Sequence, residues 1–188
     1  ISNAPFININ KVNLSGSAIN WLPTKFLGYG AYSTAGCNIK MINLSGLVNL
    51  GSIGFSVFGC NRSPSTMVPT IKYINLCGSA NTDSIGSEFA RKLTTLDAIN
   101  LTGLTKLRAI GNEFIKMDKT YASRLFSLDF SSLTSLESVG EDFLQGNDNL
   151  HAIDFSGFVN LNSAGSDWMN EWDGMDWLKL PAFKDGTL

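Results

Sequence analysis

The chain has 188 residues, 44% of them apolar and 16% charged, with a formal net charge of −2. A single domain over residues 1–188 can bury a core at this length, and the apolar content is too high for a disordered chain. Without a basic stripe no nucleic-acid partner is expected, and no apolar run approaches the roughly 18 residues of a membrane span.

Laid on itself, the chain repeats one hexamer seven times, with apolar residues at positions one, four and six. The copies are Ile9-Val12-Leu14, Ile39-Ile42-Leu44, Ile71-Ile74-Leu76, Leu96-Ile99-Leu101, Leu125-Leu128-Phe130, Leu150-Ile153-Phe155 and Met175-Leu178-Leu180. The last three residues of each alternate in, out, in, as a half-buried strand must. A second block follows at fixed distance and reads roughly Ser-Gly-Leu-x-x-Leu-x-x-Ile-Gly-x-x-Phe. It includes Ser45-Gly46-Leu47 to Phe58, Thr102-Gly103-Leu104 to Phe114, and Ser156-Gly157-Phe158 to Trp168. One such unit cannot bury its own apolar face, whereas stacked units bury a continuous column and contact mainly their neighbours. The Phe26, Phe58, Phe89, Phe114, Phe143 and Trp168 column is expected to be core, and the alternative is an exposed aromatic stripe.

These hexamers, continuing into the Ser-Gly-Leu block, resemble the leucine-rich-repeat family, and within it the BspA-like variety of surface and secreted proteins. The resemblance runs from about Ile9 to Leu180. It implies an α/β solenoid: a right-handed superhelix with about seven parallel strands on the concave face and short helical turns or irregular segments on the convex face. It also implies an extracellular or cell-surface location.

Repeats start at 9, 39, 71, 96, 125, 150 and 175, giving spacings of 30, 32, 25, 29, 25 and 25. The extra residues fall between the convex aromatic residue and the next strand, in 27–38, 59–70 and 115–124. These should project from one side, either as tolerant loops or as a second recognition surface bearing Tyr29, Tyr32 and Tyr121. At the C-terminal end Trp168, Trp172 and Trp177 crowd the last coil, to shield it or to dock onto another domain. Cys37, Cys60 and Cys77 occupy unlike places in the repeat, so no disulfide is expected among them.

Hexamer positions two, three and five face outward. Position five runs Asn13, Asn43, Asn75, Asn100, Asp129, Asp154, Lys179; the row reads either as a solvated ladder of amides or as a polar groove. Position three places Met41, Tyr73 and Trp177 on the surface, and position two adds Lys40, Lys72, Phe126 and His151. Lysines gather toward the N-terminal coils and carboxylates toward the C-terminal ones. The candidate ligand-binding residues are therefore Lys40, Met41, Asn43, Lys72, Tyr73, Asn75, Asn100, Phe126, Asp129, Asp154 and Trp177, centred on Tyr73.

An enzyme is not expected. His151 lies near Asp154, Asp129 and Ser127, but no nucleophile elbow, phosphate loop or metal spacing accompanies them, and an open sheet excludes water poorly. No cofactor or metal is expected, the calcium loop pattern being missing around Asp129, Asp154 and Asp176. The leading expectation is a non-catalytic module that binds a protein or glycan through the concave sheet. The alternatives are a structural spacer meeting its neighbours through its ends, and an intracellular scaffold or effector domain.

Overall fold

The computed structural model describes residues 9–27, 39–59, 70–118, 123–170 and 174–182. In chain order the strands are β1 (Lys11–Asn13), β2 (Trp21–Leu22), β3 (Met41–Asn43), β4 (Ser52–Ile53), β5 (Tyr73–Asn75), β6 (Ser84–Ile85), β7 (Ala98–Asn100), β8 (Ala109–Ile110), β9 (Ser127–Asp129), β10 (Ser138–Val139), β11 (Ala152–Asp154), β12 (Ser163–Ala164) and β13 (Trp177–Lys179). All pairings are parallel, and they link the same positions of successive coils: Met41 with Tyr73 with Ala98, and Ile53 with Ile85 with Ile110. The chain is a parallel β solenoid, one coil per sequence repeat.

The α/β expectation is corrected. Among the described residues there is no helix, and in place of helical turns a second sheet runs β2-β4-β6-β8-β10-β12. Its strands are only two residues long, but each sits one coil from an identical segment. The backbone groups therefore find partners in the neighbouring coil rather than four residues along the chain. Ile53, Ile85, Ile110 and Val139 point inward from it, all nearly fully buried.

Hexamer positions four and six form the core of the first sheet, as in Ile42, Leu44, Ile74 and Leu76, each at 2% exposure or less. The aromatic column is core as well. Phe58, Phe89, Phe114 and Phe143 are completely buried, Phe26 and Trp168 partly so. The Phe114 ring stacks between Phe89 and Phe143, with centroids 5.4 Å away on both sides. The backbone around the column alternates into the left-handed region at ordinary residues, as at Glu88 (φ 59°) and Ala90 (φ 54°), Glu113 and Ile115, and Asp142 and Leu144. That alternation turns two consecutive side chains inward, so Ile115 and Leu144 are buried beside their Phe neighbours. Coil-to-coil bonds hold it in place: Glu88 N–H donates to the Asn112 carbonyl at 2.7 Å, and Ile115 N–H to that of Phe89 at 2.9 Å.

The third inserted stretch thus begins in the core, with Ile115 and Met117 buried. Tyr29, Tyr32, Tyr121, Trp172, Cys37 and Cys60 lie outside the described residues; Cys77 carries a half-buried free thiol.

The expectation of one continuous sheet of seven strands is also corrected. The strand face divides into β1-β3-β5-β7 and β9-β11-β13, with no ladder between β7 and β9, while the second sheet runs unbroken behind the division. The turn after each strand also differs between the two sides of the division. Gly16, Gly46, Gly78 and Gly103 hold it with φ between 66° and 83° in the first four coils, a conformation costly for other residues. In the fifth coil that place belongs to Ser132, which is not left-handed. Gly157 follows Ser132 in the sixth coil, again without positive φ, and a Cβ there would lie 2.7 Å from the Ser131 carbonyl oxygen. At the division Ser132 Oγ accepts the Gly103 N–H at 3.1 Å and donates to the Leu101 carbonyl at 3.2 Å, bridging the two coils.

Candidate binding face

The outward positions of the hexamer are set by a stacked β-bulge. The Lys40 carbonyl accepts N–H groups from both Lys72 (2.9 Å) and Tyr73 (3.1 Å), and the Phe126 carbonyl from both His151 (2.9 Å) and Ala152 (3.2 Å). Two residues of one coil thus oppose one of the previous coil. This breaks the strict alternation and turns positions two and three of each hexamer to solvent together.

Position five has a structural duty. Asn13, Asn43, Asn75 and Asn100 each accept, through Oδ1, the backbone N–H two residues on, and Asp129 and Asp154 do the same through a carboxylate oxygen. This closes the turn that ends the strand, a service only a short side-chain acceptor performs. Asn43 Nδ2 also donates to Asn13 Oδ1 (2.9 Å), and Asn75 Nδ2 to Asn43 Oδ1 (3.1 Å). The row is therefore a coil-to-coil ladder through the first three coils, and Asn100 and Asp129, on either side of the division, are exposed. Asp154 holds Ser156 N–H at 2.8 Å and Lys179 Nζ at 3.0 Å. Partial burial pushes its carboxyl up. The hydroxyl and amide of Ser156, with the Lys179 ammonium, outweigh that and hold it below the usual carboxylate range.

The large exposed side chains on this face are Met41, Tyr73, Phe126 and Trp177, with Phe126 the most open at 59%. Tyr73 stands in register between Met41 and Ala98. Lys40 is exposed. Lys72 lies 3.9 Å from Asp97, which also receives Arg124 Nε at 2.8 Å, so the basic patch around Tyr73 is partly neutralised. Trp177 is in register with Ala152 on the last described coil.

The structure also joins residues the sequence reading kept apart. The Phe126 ring stacks on the His151 imidazole at 5.1 Å between centroids, and His151 Nδ1 lies 3.0 Å from Asp176 Oδ2. His151 therefore pairs with Asp176, not with Asp154 or Asp129. No group of three metal-ligating side chains forms among the described residues. A separate open groove at the flank of the coils is lined by Asn81, Asp83, Lys106, Arg108, Ser135 and Glu137, among others. There Arg108 and Glu137 make a two-pronged ion pair, which holds the guanidinium above its usual range. Both pairs had a signal in the spacing: Arg108 and Glu137 are 29 residues apart and His151 and Asp176 are 25 apart, each the local repeat length.

No family model, curated protein or solved structure matches this chain.

Proposed function

We propose that this chain is a non-catalytic recognition module that binds a protein or glycan through the concave strand face. The single observation carrying this reading is the placement of Met41, Tyr73, Phe126 and Trp177, all more than a third exposed, on one face whose other outward residues are small or polar. Isolated exposed apolar residues are ordinary, but large anchors on a rigid, repeat-built surface are what an interface uses. The leucine-rich-repeat resemblance, with its right-handed curvature and surface or secreted location, accompanies the proposal and rests on the hexamer pattern.

The test is a screen of the intact chain on a glycan array and by cross-linking capture, followed by Tyr73→Ala and Phe126→Ala on the partner found. A loss of about 2 kcal/mol or more from either, with folding unchanged, supports the reading. An affinity indifferent to both but lost on deleting 59–70 would move the site to the insertion rim.

A second reading, a spacer or assembly subunit, draws on one observation. Leu178 and Leu180 of the last described coil are 43% and 51% exposed, at positions buried in the preceding coils. Concentration-dependent association in sedimentation, abolished by Leu178→Asp, would favour it.

A further inference from the structure

Resting on the reading of this face as a recognition surface, we propose that its first three coils take an acidic polypeptide segment, with carboxylates on Lys11 and Lys40 and an apolar side chain against Met41 and Tyr73. Charge is divided along the chain. Residues 1–82 contain no Asp or Glu and hold Lys11, Lys25, Lys40, Arg62 and Lys72, while all 16 acidic residues lie beyond them with the other nine of the 14 basic ones. In a solenoid each coil touches mainly its neighbours, so charge separated in sequence stays separated in space. The first coils are therefore positive in a molecule whose formal net charge is −2.

The geometry gathers that charge around two anchors. Lys11, Met41 and Tyr73 stand in register on successive coils. Lys40 and Lys72 precede Met41 and Tyr73, and the bulge turns each such pair to solvent together. At one strand spacing per coil the patch is roughly 10 Å long. Lys11 and Lys40 are exposed, and no ion pair among the described residues includes either. Lys72 comes within 3.9 Å of Asp97, but that carboxylate already receives Arg124 Nε at 2.8 Å. Lys40 and Lys72 also stand one rung apart, where like charges repel, and a bound carboxylate relieves that repulsion. The polar row beside them is committed, since Asn13, Asn43 and Asn75 are joined to one another through Oδ1 and Nδ2. Little hydrogen-bonding capacity is left for a neutral ligand. What the patch offers is ammonium groups around an exposed thioether and a phenol ring, and carboxylates flanking an apolar side chain match both. Three lysines are few for a nucleic acid, whose affinity grows with the number of phosphates neutralised, and Lys25 belongs to the turn after β2, on the second sheet.

The test titrates the whole chain, at about 50 mM salt, into a short labelled peptide in which Asp and Glu flank a central Phe-Leu pair, read by fluorescence anisotropy. A version with Asn and Gln in place of the acids, a single-stranded oligonucleotide and heparin are the contrasts. Saturable binding of the acidic peptide is expected, at least about tenfold tighter than that of the amide version and weaker as salt is raised. Lys11→Glu, Lys40→Glu and Tyr73→Ala should each weaken it at least about tenfold. Lys25→Glu changes the net charge equally but away from this face, and its left-handed place is held by Glu88 and Glu113 in later coils. It should leave the affinity within about twofold. Circular dichroism and the thermal midpoint report that the variants fold. No binding of the acidic peptide overturns the proposal, as do equal binding of the amide version, a loss on Lys25→Glu matching that on Lys40→Glu, or tighter binding of the oligonucleotide or heparin through the same lysines. If the peptide fails while a captured partner is lost on Tyr73→Ala, the recognition reading stands and the acidic-partner assignment alone falls.

Discussion

Ser132 Oγ accepts the backbone N–H of Gly103 at 3.1 Å, a role played by a backbone carbonyl in the earlier coils, where Gly46 N–H reaches Cys77 and Gly78 N–H reaches Thr102. One hydroxyl thus stands in for a rung of the ladder at the point where the strand face divides. Ser132→Ala leaves the Gly103 N–H and a Leu101 carbonyl bond without this partner in a half-buried place. The expected cost is about 1–2 kcal/mol. Ser135→Ala, whose hydroxyl serves the Thr105 carbonyl at the rim, should cost less. Urea unfolding midpoints of the two variants check the order; equal midpoints would mean the bridge contributes no more than the rim bond, and a Ser132→Ala midpoint at the wild-type value would mean it contributes nothing.

Phe114→Ala should cost about 3–5 kcal/mol, the range for a buried aromatic residue truncated without collapse of its site. Phe114 is fully buried and its ring is stacked on both sides, so neither neighbour can move in without leaving its own partner. A denaturation midpoint near wild type would contradict the packing of this column.

Asn75 both ends its strand and links coils: Oδ1 accepts Cys77 N–H at 3.0 Å while Nδ2 donates to Asn43. Aspartate does the first task in the fifth and sixth coils, at Asp129 and Asp154. Asn75→Asp should therefore be milder than Asn75→Ala, which loses both bonds and about 1–2 kcal/mol. A thermal-melt series in which alanine matches or exceeds aspartate would mean the turn bond to Cys77 contributes nothing, since both variants lack the amide donor.

How much of this was legible depended on where each residue finds its partner. Ile42 and Leu44, or Phe114 and Phe143, declare themselves in sequence because burial demands apolar residues at a fixed repeat. The second sheet does not: Ser84–Ile85 is too short for any periodicity of its own, and its hydrogen bonds run to other coils. Nothing in the residue types of Glu88 or Ala90 announces a left-handed backbone, since coil-to-coil bonds impose it. The division of the strand face coincides with a serine, Ser132, in the glycine place after β9, a change that the residue pattern alone does not mark as a break in the sheet. On the candidate face the exposed anchors followed from the hexamer, whereas the Phe126–His151–Asp176 stack needed residues 25 apart to be set side by side.

Asp154 supplies a pH-dependent part of the stability. Its carboxyl is held below the usual range, so the folded chain binds this proton less readily than the unfolded one. The contribution is therefore complete above the ordinary carboxylate pKa, about 4, and fades as pH falls through the lower folded value. Asp154→Asn keeps an oxygen for the Ser156 N–H but loses the charge opposite Lys179, a lysine whose side chain is 52% exposed. Solvent screening limits that pair, so the expected loss near neutral pH is no more than about 1 kcal/mol. The gap between wild type and Asp154→Asn should narrow steadily as the solution is taken from neutral pH to about pH 3. Urea unfolding of both proteins along that series measures it. A gap that stays constant would assign the loss to the hydrogen-bond geometry at Ser156, and one that widens on acidification would reverse the sign assigned to the carboxyl.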